Sequence, residues 1–381
     1  MKKVFLAVVL VVLLAFVACS NNNDTTAPAG NEPAQEQAGN RIYVFNWGYF
    51  IDKSVLDIFE EEYGIEVVYR EFESNAMVYS ALVDGGAVFD VIVPSDYLIE
   101  RLIMEQRIQR LNWDNIPNRR YIADRFWYWE HDPQNLYSMP YIWGTFGIVY
   151  NTTMITEPVY SWSILWDERF RGDIFMYYSA RCTIGAALHY LGYSLNPQNV
   201  EQINAARDLL ISQSPLVRAF LADEVIGSMV GNEAALATVF NGCARWIMLS
   251  NPNHNFINPQ EGMQKFVDSM VIPVNAQNVP GAEKFINFMA RPDIALMNAL
   301  YVQYSTTNAA AFEMLPDYWQ NCPIYWPCDE TLQRAEVLRD LGDMREYFYN
   351  AWSRVLLGRY KNLRSVQNVL FKMRKQNGNR C

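Results

Sequence analysis

Histidine is scarce in this chain of 381 residues, which carries only His131, His189 and His254. The sequence also lacks a G-x-S-x-G elbow, an H-E-x-x-H pair and a phosphate-binding glycine loop. Cysteines and histidines do not recur at the spacing of metal ligands. These absences argue against the common hydrolase, metalloprotease and nucleotide-binding classes, and they leave no metal or cofactor to predict.

Basic residues are fewer than acidic ones, 31 against 41, which gives a net charge of -10. This balance opposes binding to a phosphate backbone, so no nucleic-acid partner is expected. It also favours cationic solutes through long-range steering. The hydrophobic fraction of 51% and the charged fraction of 19% are typical of a soluble globular protein large enough for two lobes.

A long apolar run occurs only at the start of the chain, where Val4–Ala18 follows two lysines. Fifteen apolar residues are fewer than the roughly 20 that span a bilayer, so residues 1–18 are predicted to be a signal peptide. The segment ends in Phe16-Val17-Ala18-Cys19, which resembles a bacterial lipobox with phenylalanine in place of the usual leucine. We expect lipidation of Cys19 and a flexible tether over residues 19–40, with plain secretion as the alternative.

Strand and helix patterns alternate from Arg41 onward, which predicts an α/β fold with parallel sheets covered by helices. The predicted elements are strands at Arg41–Phe45, Ile65–Phe72, Phe89–Val93 and Ile174–Tyr178, helices at Asp52–Tyr63, Asn75–Val83, Asp96–Glu105, Ile184–Leu191, Val200–Gln213 and Asp329–Leu357, and extended runs at Tyr141–Tyr150 and Gly262–Val274. Ligands of such sheets bind beyond the carboxyl ends of the strands. Asn46, Trp47, Ser95 and Tyr97 fall at that edge.

Several segments of the chain, spread in order along it, carry a family resemblance. They are Val44–Trp47, Phe59–Tyr69, Phe72–Asn75, Phe89–Ser95, His131–Pro133, Met139–Gly144 and Phe285–Asp293. The chain resembles, over about Arg41–Gly358, the periplasmic spermidine- and putrescine-binding proteins of ABC transporters.

The resemblance implies a type II periplasmic-binding-protein fold, in which two α/β lobes close on a ligand cleft. Lobe one would comprise residues 41–148 and 269–322, and lobe two residues 149–268 and 323–378. The implied role is that of a lipid-anchored, monomeric receptor on the outer side of the cytoplasmic membrane. It would hand a polyamine or related small cation to the permease of an ABC importer. Agmatine, arginine or another amino acid remain alternative ligands.

The resemblance also implies cleft residues. Trp47, Ser95, Tyr97, Asp268 and Tyr304 match family positions that contact an amine ligand. Aromatic rings suit the methylenes and the cation, and carboxylates suit the ammonium groups. Each residue also has an ordinary structural interpretation: a core side chain for Trp47 or Tyr304, a helix cap for Ser95, and a buried hydrogen-bond network for Asp268.

Other family positions differ in this chain. Acidic residues of the family pattern are replaced by Tyr49, Ser179, Cys182 and Cys243, a cleft tryptophan by Phe240, and a C-terminal glutamine by Leu338. Tyr49, Ser179, Cys182 and Phe240 are retained as candidate ligand contacts. Glu73, Asp96 and Glu233 are candidates for replacing the lost carboxylates. The resemblance therefore implies the receptor role along the whole chain, whereas several of the family's ligand contacts are changed.

The cysteines leave two further hypotheses open. Disulfides are permitted in an exported protein, either between Cys322 and Cys328 or between Cys182 and Cys243 across one end of the pocket. Cys182 and His189, seven residues apart, are the only candidates for a hydrolase-like pair. A buried cysteine and a structural histidine explain the same residues.

Overall fold

The computed structural model describes residues 40–84 and 86–358. The predicted signal peptide at 1–18, the lipidation site Cys19 and the tether up to residue 39 lie outside the described residues, as does the predicted end of lobe two at 359–378. None of the helices in the described segments is both long and apolar enough to cross a membrane.

The first part of the described chain alternates strands and helices as predicted. Its elements are β1 Arg41–Trp47, α1 Ser54–Tyr63, β2 Glu66–Phe72, α2 Asn75–Val83, β3 Val91–Ile92, α3 Asp96–Met104 and β4 Ile108–Gln109. Gly64 ends α1 at a φ of 64°, a left-handed conformation that glycine adopts without steric cost. β1 pairs in parallel with β2 on one side and β3 on the other.

The middle part begins with a strand of 13 residues. Its elements are β5 Met139–Asn151, β6 Ile174–Tyr177, α4 Ala180–Tyr190, α5 Val200–Gln213, β7 Val217–Leu221, α6 Glu224–Val230, β8 Leu236–Phe240, α7 Asn241–Ser250 and β9 His254–Ile257. β6 lies between β7 and β8, parallel to both. All 13 residues of β5 are buried, because it runs through the middle of a larger sheet.

The last part returns to both sheets. Its elements are β10 Met263–Met270, β11 Ile272–Pro273, α8 Val279–Met289, α9 Pro292–Val302, β12 Ser305–Thr306, α10 Ala309–Met314, α11 Asp317–Gln320, α12 Asp329–Gln333, β13 Ala335–Glu336 and a helical segment at 345–358. The larger sheet has the order β13-β10-β5-β8-β6-β7, with β12 and β9 also pairing with β5. β5 is antiparallel to β10 and β8, so this sheet is mixed.

The two halves of β5 pair with different groups of strands. Its first half pairs with β10 and β12, whereas its second half pairs with β8 and β9. The end of β10 then approaches the first sheet, where Val271 bridges to Ile92. β5 therefore connects the two groups of strands within the larger sheet, and the chain at the end of β10 connects that sheet to the first one.

The predicted helix Asp329–Leu357 is wrong over its middle. α12 ends at Gln333, and the next residues form β13, which pairs with β10. Arg339 then donates to Glu100 of α3 at 3.0 Å, and the Asp340 amide donates to the same carboxylate at 2.8 Å. These contacts with distant elements hold the segment extended despite its helical pattern. We call the contacts of Glu100 with Arg339 and Asp340 the clasp.

Candidate functional site

The candidate site lies where the carboxyl ends of β1 and β3 meet the start of α3. Trp47 is the last residue of β1, and Ser95 directly precedes α3. β10 passes this edge, since the Ser269 amide donates to the carbonyl of Pro94 at 3.3 Å. Asp268 is thereby placed beside Ser95, although 173 positions separate the two residues in the numbering.

Asp268 is a buried carboxylate whose hydrogen-bonding capacity is only partly used. The residue is 5% exposed, and the Ser95 hydroxyl hydrogen-bonds to it. Its Oδ1 has no partner among the described residues. Burial raises the pKa of Asp268 to about 7, because the charged form loses hydration. Ser95 makes no side-chain bond to the start of α3, so its hydroxyl serves the carboxylate instead of capping the helix.

Asp96 adds a second carboxyl group next to Asp268. It is fully buried, and its Oδ1 accepts the Tyr97 amide at 2.8 Å while Oδ2 has no partner in the described part of the chain. Burial raises the pKa of Asp96, and the neighbouring Asp268 raises it further. Two buried carboxyl groups with unpartnered oxygens thus share this end of the site.

Arg181 brings a positive charge to the same end. The side chain lies between the rings of Tyr97 and Phe348, with centroid distances of 5.0 and 5.2 Å. It donates to the carbonyl of Arg339 at 3.0 Å, and no carboxylate of the described residues lies within ion-pair distance of it. Its positive charge nevertheless lowers the pKa of Asp96, which offsets part of that carboxyl's burial.

A continuous series of aromatic rings leads away from Asp268. Phe266 precedes Asp268 by two positions on β10, so the two side chains point to the same face of the strand. The successive centroid distances are 6.1 Å for Tyr304–Phe266, 5.1 Å for Phe266–Phe240 and 5.3 Å for Phe240–Tyr177. We call these four side chains the ring row. Such a surface suits the methylene groups of a ligand and attracts a cation.

A further carboxylate lies at the Tyr177 end of the ring row. The Tyr177 hydroxyl hydrogen-bonds to Asp223, which remains exposed to solvent. Desolvation raises the pKa of Asp223, and the carboxylates of Glu224 and Glu73 raise it further. At the Tyr304 end of the row, the Cys243 thiol lies 3.4 Å from the Tyr304 hydroxyl.

The structure brings most of the predicted residues together. Ser95, Tyr97 and Cys182 lie around the Asp96–Asp268 pair. Burial is the main cause of the raised pKa of the Cys182 thiol, and the charges of Asp96 and Asp268 raise that pKa further. Ser179 and Arg181 lower it. Phe240 and Tyr304 belong to the ring row. Trp47 packs on Phe72 with centroids 4.5 Å apart, and its buried Nε1 has no acceptor among the described residues.

Other predicted residues take different positions. Tyr49 is 78% exposed at a φ of 57°, and its ring makes no contact with the ring row in the described part of the molecule. Ser179 caps α4 by accepting the Cys182 amide at 3.4 Å. Glu233 precedes β8 whereas Phe240 ends it, so the length of the strand separates Glu233 from the ring row. Leu338 is 1% exposed, in the segment beside the clasp.

The thiol hypotheses are wrong for the described cysteines. Cys182, Cys243, Cys322 and Cys328 are all free thiols. Burial raises the pKa of Cys182 and of Cys243 to about 12, so both are protonated at neutral pH. Seven residues of helix separate Cys182 from His189 by roughly 10 Å, which is beyond hydrogen-bond reach. Within the described segments, no group of three or more His, Cys, Asp or Glu side chains is arranged to hold a metal ion.

Four residues of the site were not predicted from the sequence: Tyr177, Arg181, Asp223 and Phe266. Tyr177 ends β6, and Asp223 follows β7 by two positions. The rule that ligands bind beyond the carboxyl ends of parallel strands identifies both, once β7 is recognised as a strand. Phe266 is indicated by its two-residue spacing from Asp268. Arg181 has no comparable signal, because it lies inside a helix start.

Comparison with known proteins independently shows which family of proteins this chain resembles. The family model described as bacterial extracellular solute-binding protein matches residues 54–325. The spermidine/putrescine-binding periplasmic protein of Escherichia coli strain K12 is 32% identical over 334 residues, which make up 87% of this chain and 95% of that protein.

Two solved structures extend the similarity to three dimensions. The spermidine/putrescine ABC transporter substrate-binding protein of Streptococcus pneumoniae, solved with calcium and HEPES, is 35% identical with a TM-score of 0.75. The alignment covers 84% of this chain and 100% of that one. A lipoprotein of Treponema pallidum is 26% identical with a TM-score of 0.74, over 83% of this chain and 99% of that one. The predicted two-lobed α/β fold is thereby confirmed.

Proposed function

The chain belongs to the bacterial extracellular solute-binding protein family, and from this premise we propose that it captures a polyamine or a closely related small organic cation for an ABC importer. The observation that carries the proposal is Asp268, a buried carboxylate with an unpartnered Oδ1 at one end of a row of aromatic rings. A buried carboxylate requires a hydrogen-bonding or charged partner. A ligand ammonium group satisfies that requirement.

The surroundings of Asp268 favour a flexible amine over other solutes. Ser95 supports the carboxylate, and Phe266 and Phe240 offer apolar surface to an alkyl chain. A sugar would require several hydrogen-bonding side chains along the same wall, where the ring row is largely apolar. The relatives from E. coli and S. pneumoniae carry spermidine and putrescine in their names, which supports the same ligand class.

We further propose that ligand binding closes the two lobes. Lobe one would comprise residues 41–148 and 269–322, and lobe two residues 149–268 and 323–378. By these bounds Ser95 belongs to lobe one, whereas Asp268, Asp223 and Tyr177 belong to lobe two, so a ligand held at Asp268 beside Ser95 contacts both. Contacts with both lobes are what shifts such an equilibrium toward the closed form.

The cellular setting follows from the amino terminus. We propose that Cys19 is lipidated after removal of residues 1–18, that residues 19–40 tether the folded part to the membrane, and that the receptor acts as a monomer without catalytic activity. The lipoprotein relative from T. pallidum supports the anchor. The receptor would then contact the permease on the outer side of the cytoplasmic membrane, and the permease would transport the ligand inward.

A thermal-shift panel of amines, amino acids, sugars and anions tests the ligand class, because binding to the native state alone raises the melting temperature. Putrescine, spermidine and agmatine should stabilise the wild type, and Asp268→Asn should lose that response. Asp208→Asn, which removes an exposed carboxylate on α5, is the matched control and should keep it. Stabilisation by sugars or anions but by no cation would contradict the proposal, as would an undiminished response of Asp268→Asn.

A further inference from the structure

We propose that an exposed patch of arginine and aromatic side chains in the proposed lobe one binds the anionic headgroups of a membrane surface. The patch comprises Trp113, Arg119, Arg120, Trp127 and Tyr128, and we call it the arginine–aromatic patch. None of these residues belongs to the candidate ligand site, so the inference goes beyond the proposed function. The proposed lipid anchor enters it only because that anchor would hold the folded part near a bilayer.

Positive charge is concentrated in the part of the sequence that contains the patch. Residues 107–125 carry five arginines and only two acidic residues, Asp114 and Asp124, whereas the whole chain has a net charge of -10. At physiological ionic strength, exposed charges are largely screened beyond about 8 Å. The charge of a local patch therefore decides whether a nearby anionic surface is attracted, and here that charge is positive although the protein is acidic.

A framework of short helical turns presents the patch to solvent. The turns are Trp113–Asn115, Pro117–Tyr121 and Asp124–Phe126. Ile116, Ile122 and Phe126 are buried in the hydrophobic core and anchor the turns from below. The side chain of Asn287 on α8 accepts the Asn118 amide at 2.9 Å, which fixes the middle turn from the side. The apolar side chains thus hold the backbone, and the basic side chains between them face outward.

Arg119 and Arg120 are oriented by aromatic rings instead of carboxylates. Both are exposed, and neither forms an ion pair within the described ranges, whereas Arg41 pairs with a carboxylate at 2.6 Å. The guanidinium of Arg119 lies 5.1 Å from the ring centroid of Trp113. That of Arg120 lies over the Tyr121 ring and donates to its hydroxyl at 3.0 Å. Both guanidinium groups keep free N–H donors, and arginine binds phosphate oxygens with paired hydrogen bonds.

The aromatic members of the patch are joined to one another. Trp127 packs edge-on against Trp113 with centroids 5.7 Å apart. Asn135 connects Trp113 to Tyr128, because its carbonyl accepts the Trp113 indole N–H at 2.8 Å and its side-chain oxygen accepts the Tyr128 amide at 2.9 Å. Tyr128 is 74% exposed. Tryptophan and tyrosine are enriched at the headgroup level of bilayers, so their presence beside two arginines suits a membrane surface.

The aromatic side chains favour a bilayer over an acidic protein as the partner. Either partner would attract the arginines, but only the headgroup region takes up a ring that has an apolar body and a polar edge. The proposed tether, residues 19–40, would have a root-mean-square span of about 25 Å as a flexible chain. The patch would therefore stay close to the bilayer, and weak individual contacts would be sufficient for it to bind.

Co-sedimentation with phospholipid vesicles tests the patch. The protein is the chain from residue 19 with Cys19→Ser, which cannot be lipidated, and the vesicles are phosphatidylcholine alone or with 30% phosphatidylglycerol. The wild type should partition about tenfold more strongly into the anionic vesicles at 0.1 M salt and lose this preference at 1 M. Arg119→Gln/Arg120→Gln should lower the partition coefficient at least fivefold, because each arginine near an anionic surface contributes about fivefold. Tyr128→Ala should lower it about twofold.

A charge-matched variant is needed because residues 359–381 contain seven basic and no acidic side chains. Arg70→Gln/Arg354→Gln removes two exposed arginines outside the patch, neither of which forms an ion pair in the described part of the chain. It should bind anionic vesicles within twofold of the wild type. Unchanged melting temperatures establish that each variant is folded.

Several results would overturn the proposal. They are equal partition of the wild type into neutral and anionic vesicles, an undiminished partition of Arg119→Gln/Arg120→Gln, and an equal loss in the charge-matched variant, which would assign binding to overall charge. Binding of polyglutamate but not of anionic vesicles would identify the partner as an acidic protein instead. Putrescine should bind Arg119→Gln/Arg120→Gln as it binds the wild type, so failure of vesicle binding leaves the proposed function intact.

Discussion

Amine binding should weaken sharply on mild acidification, because Asp268 must be ionised to hold an ammonium group. Burial raises the pKa of Asp268 to about 7. A carboxyl with that pKa is about nine-tenths ionised at pH 8 and about one-tenth ionised at pH 6. The apparent Kd scales inversely with the competent fraction, so it should rise about tenfold between pH 8 and pH 6. Alkyl amines, with pKa values near that of lysine, stay protonated throughout.

The ligand-free protein should show the opposite trend in stability. The folded pKa of Asp268 lies above the ordinary value of 3.8, so the folded state holds this proton more tightly than the unfolded chain does. The associated stability is present below about pH 4 and is lost as the pH rises through about 7. The full loss of unfolding free energy between these pH values corresponds to about 4 kcal/mol, and Asp268→Asn should remove most of this pH dependence.

Isothermal titration at pH 6, 7 and 8, in two buffers of different ionisation enthalpy, measures both the affinity and the protons released. About half a proton should leave Asp268 on binding at pH 7. Asp96 and Asp223 also have raised pKa values, so Asp268→Asn is needed as the reference that retains their titration. A Kd that stays constant from pH 6 to pH 8, without proton release, would refute this account of Asp268.

Three other predictions test the surroundings of the site. Gly242→Ala should lower the unfolding free energy by about 1–3 kcal/mol and weaken amine binding, because the new Cβ would lie 2.2 Å from the Tyr304 ring. Denaturant titrations measure the change in stability, and Gly227→Ala, whose new Cβ would have nothing within 4 Å, is the control. Glu100→Gln should raise the ligand Kd by about twofold to fivefold at low salt, and the difference from wild type should shrink at 1 M salt if the clasp holds the lobes together. Alkylation of the unfolded, unreduced protein followed by peptide mass spectrometry should find Cys182, Cys243, Cys322 and Cys328 modified; a disulfide-linked peptide among them would contradict the structure.

The sequence predicted those elements best whose ends are encoded locally. α2 and α5 have the predicted bounds, Asn75–Val83 and Val200–Gln213. Both begin after a residue whose side chain accepts a backbone amide, Ser74 in one case and Asn199 in the other. Gly64 likewise marks the end of α1. Capping residues and glycine act within one turn of the helix, so a local pattern is sufficient to locate them.

The sequence failed where distant segments decide the outcome. The helical pattern of Asp329–Leu357 is overridden by pairing of β13 with β10 and by Glu100, which lies more than 200 positions away. The exposure of Tyr49 could not be predicted either: the residue has a φ of 57° and is 78% exposed, and its role as a ligand contact stays a prediction. These outcomes depend on tertiary packing that no local window contains.

Part of the site was predictable and part was not. Asp268 and Ser95 were identified through family positions and strand ends, whereas their mutual hydrogen bond depends on where β10 passes β3. Asp223 lies at a strand end as well, but the strand preceding it reads Val-Arg-Ala-Phe-Leu and was not recognised. An unrecognised strand therefore concealed a carboxylate that lies beside the ring row.

The clasp also affects how closely the closed shape of the protein would correspond to the presence of a bound ligand. Glu100 binds Arg339 and the Asp340 amide without any contribution from a ligand. Under the proposed lobe assignment these contacts join lobe one to lobe two, so part of the free energy of the proposed closure would come from the protein alone. A protein-supplied bias toward closure strengthens ligand binding, because less of the binding energy goes into moving the lobes. The same bias enlarges the population of empty but closed receptors. Under the proposed function, a permease that recognises only the closed shape would then bind more empty receptors, and a stronger clasp would increase ligand affinity at the expense of this discrimination.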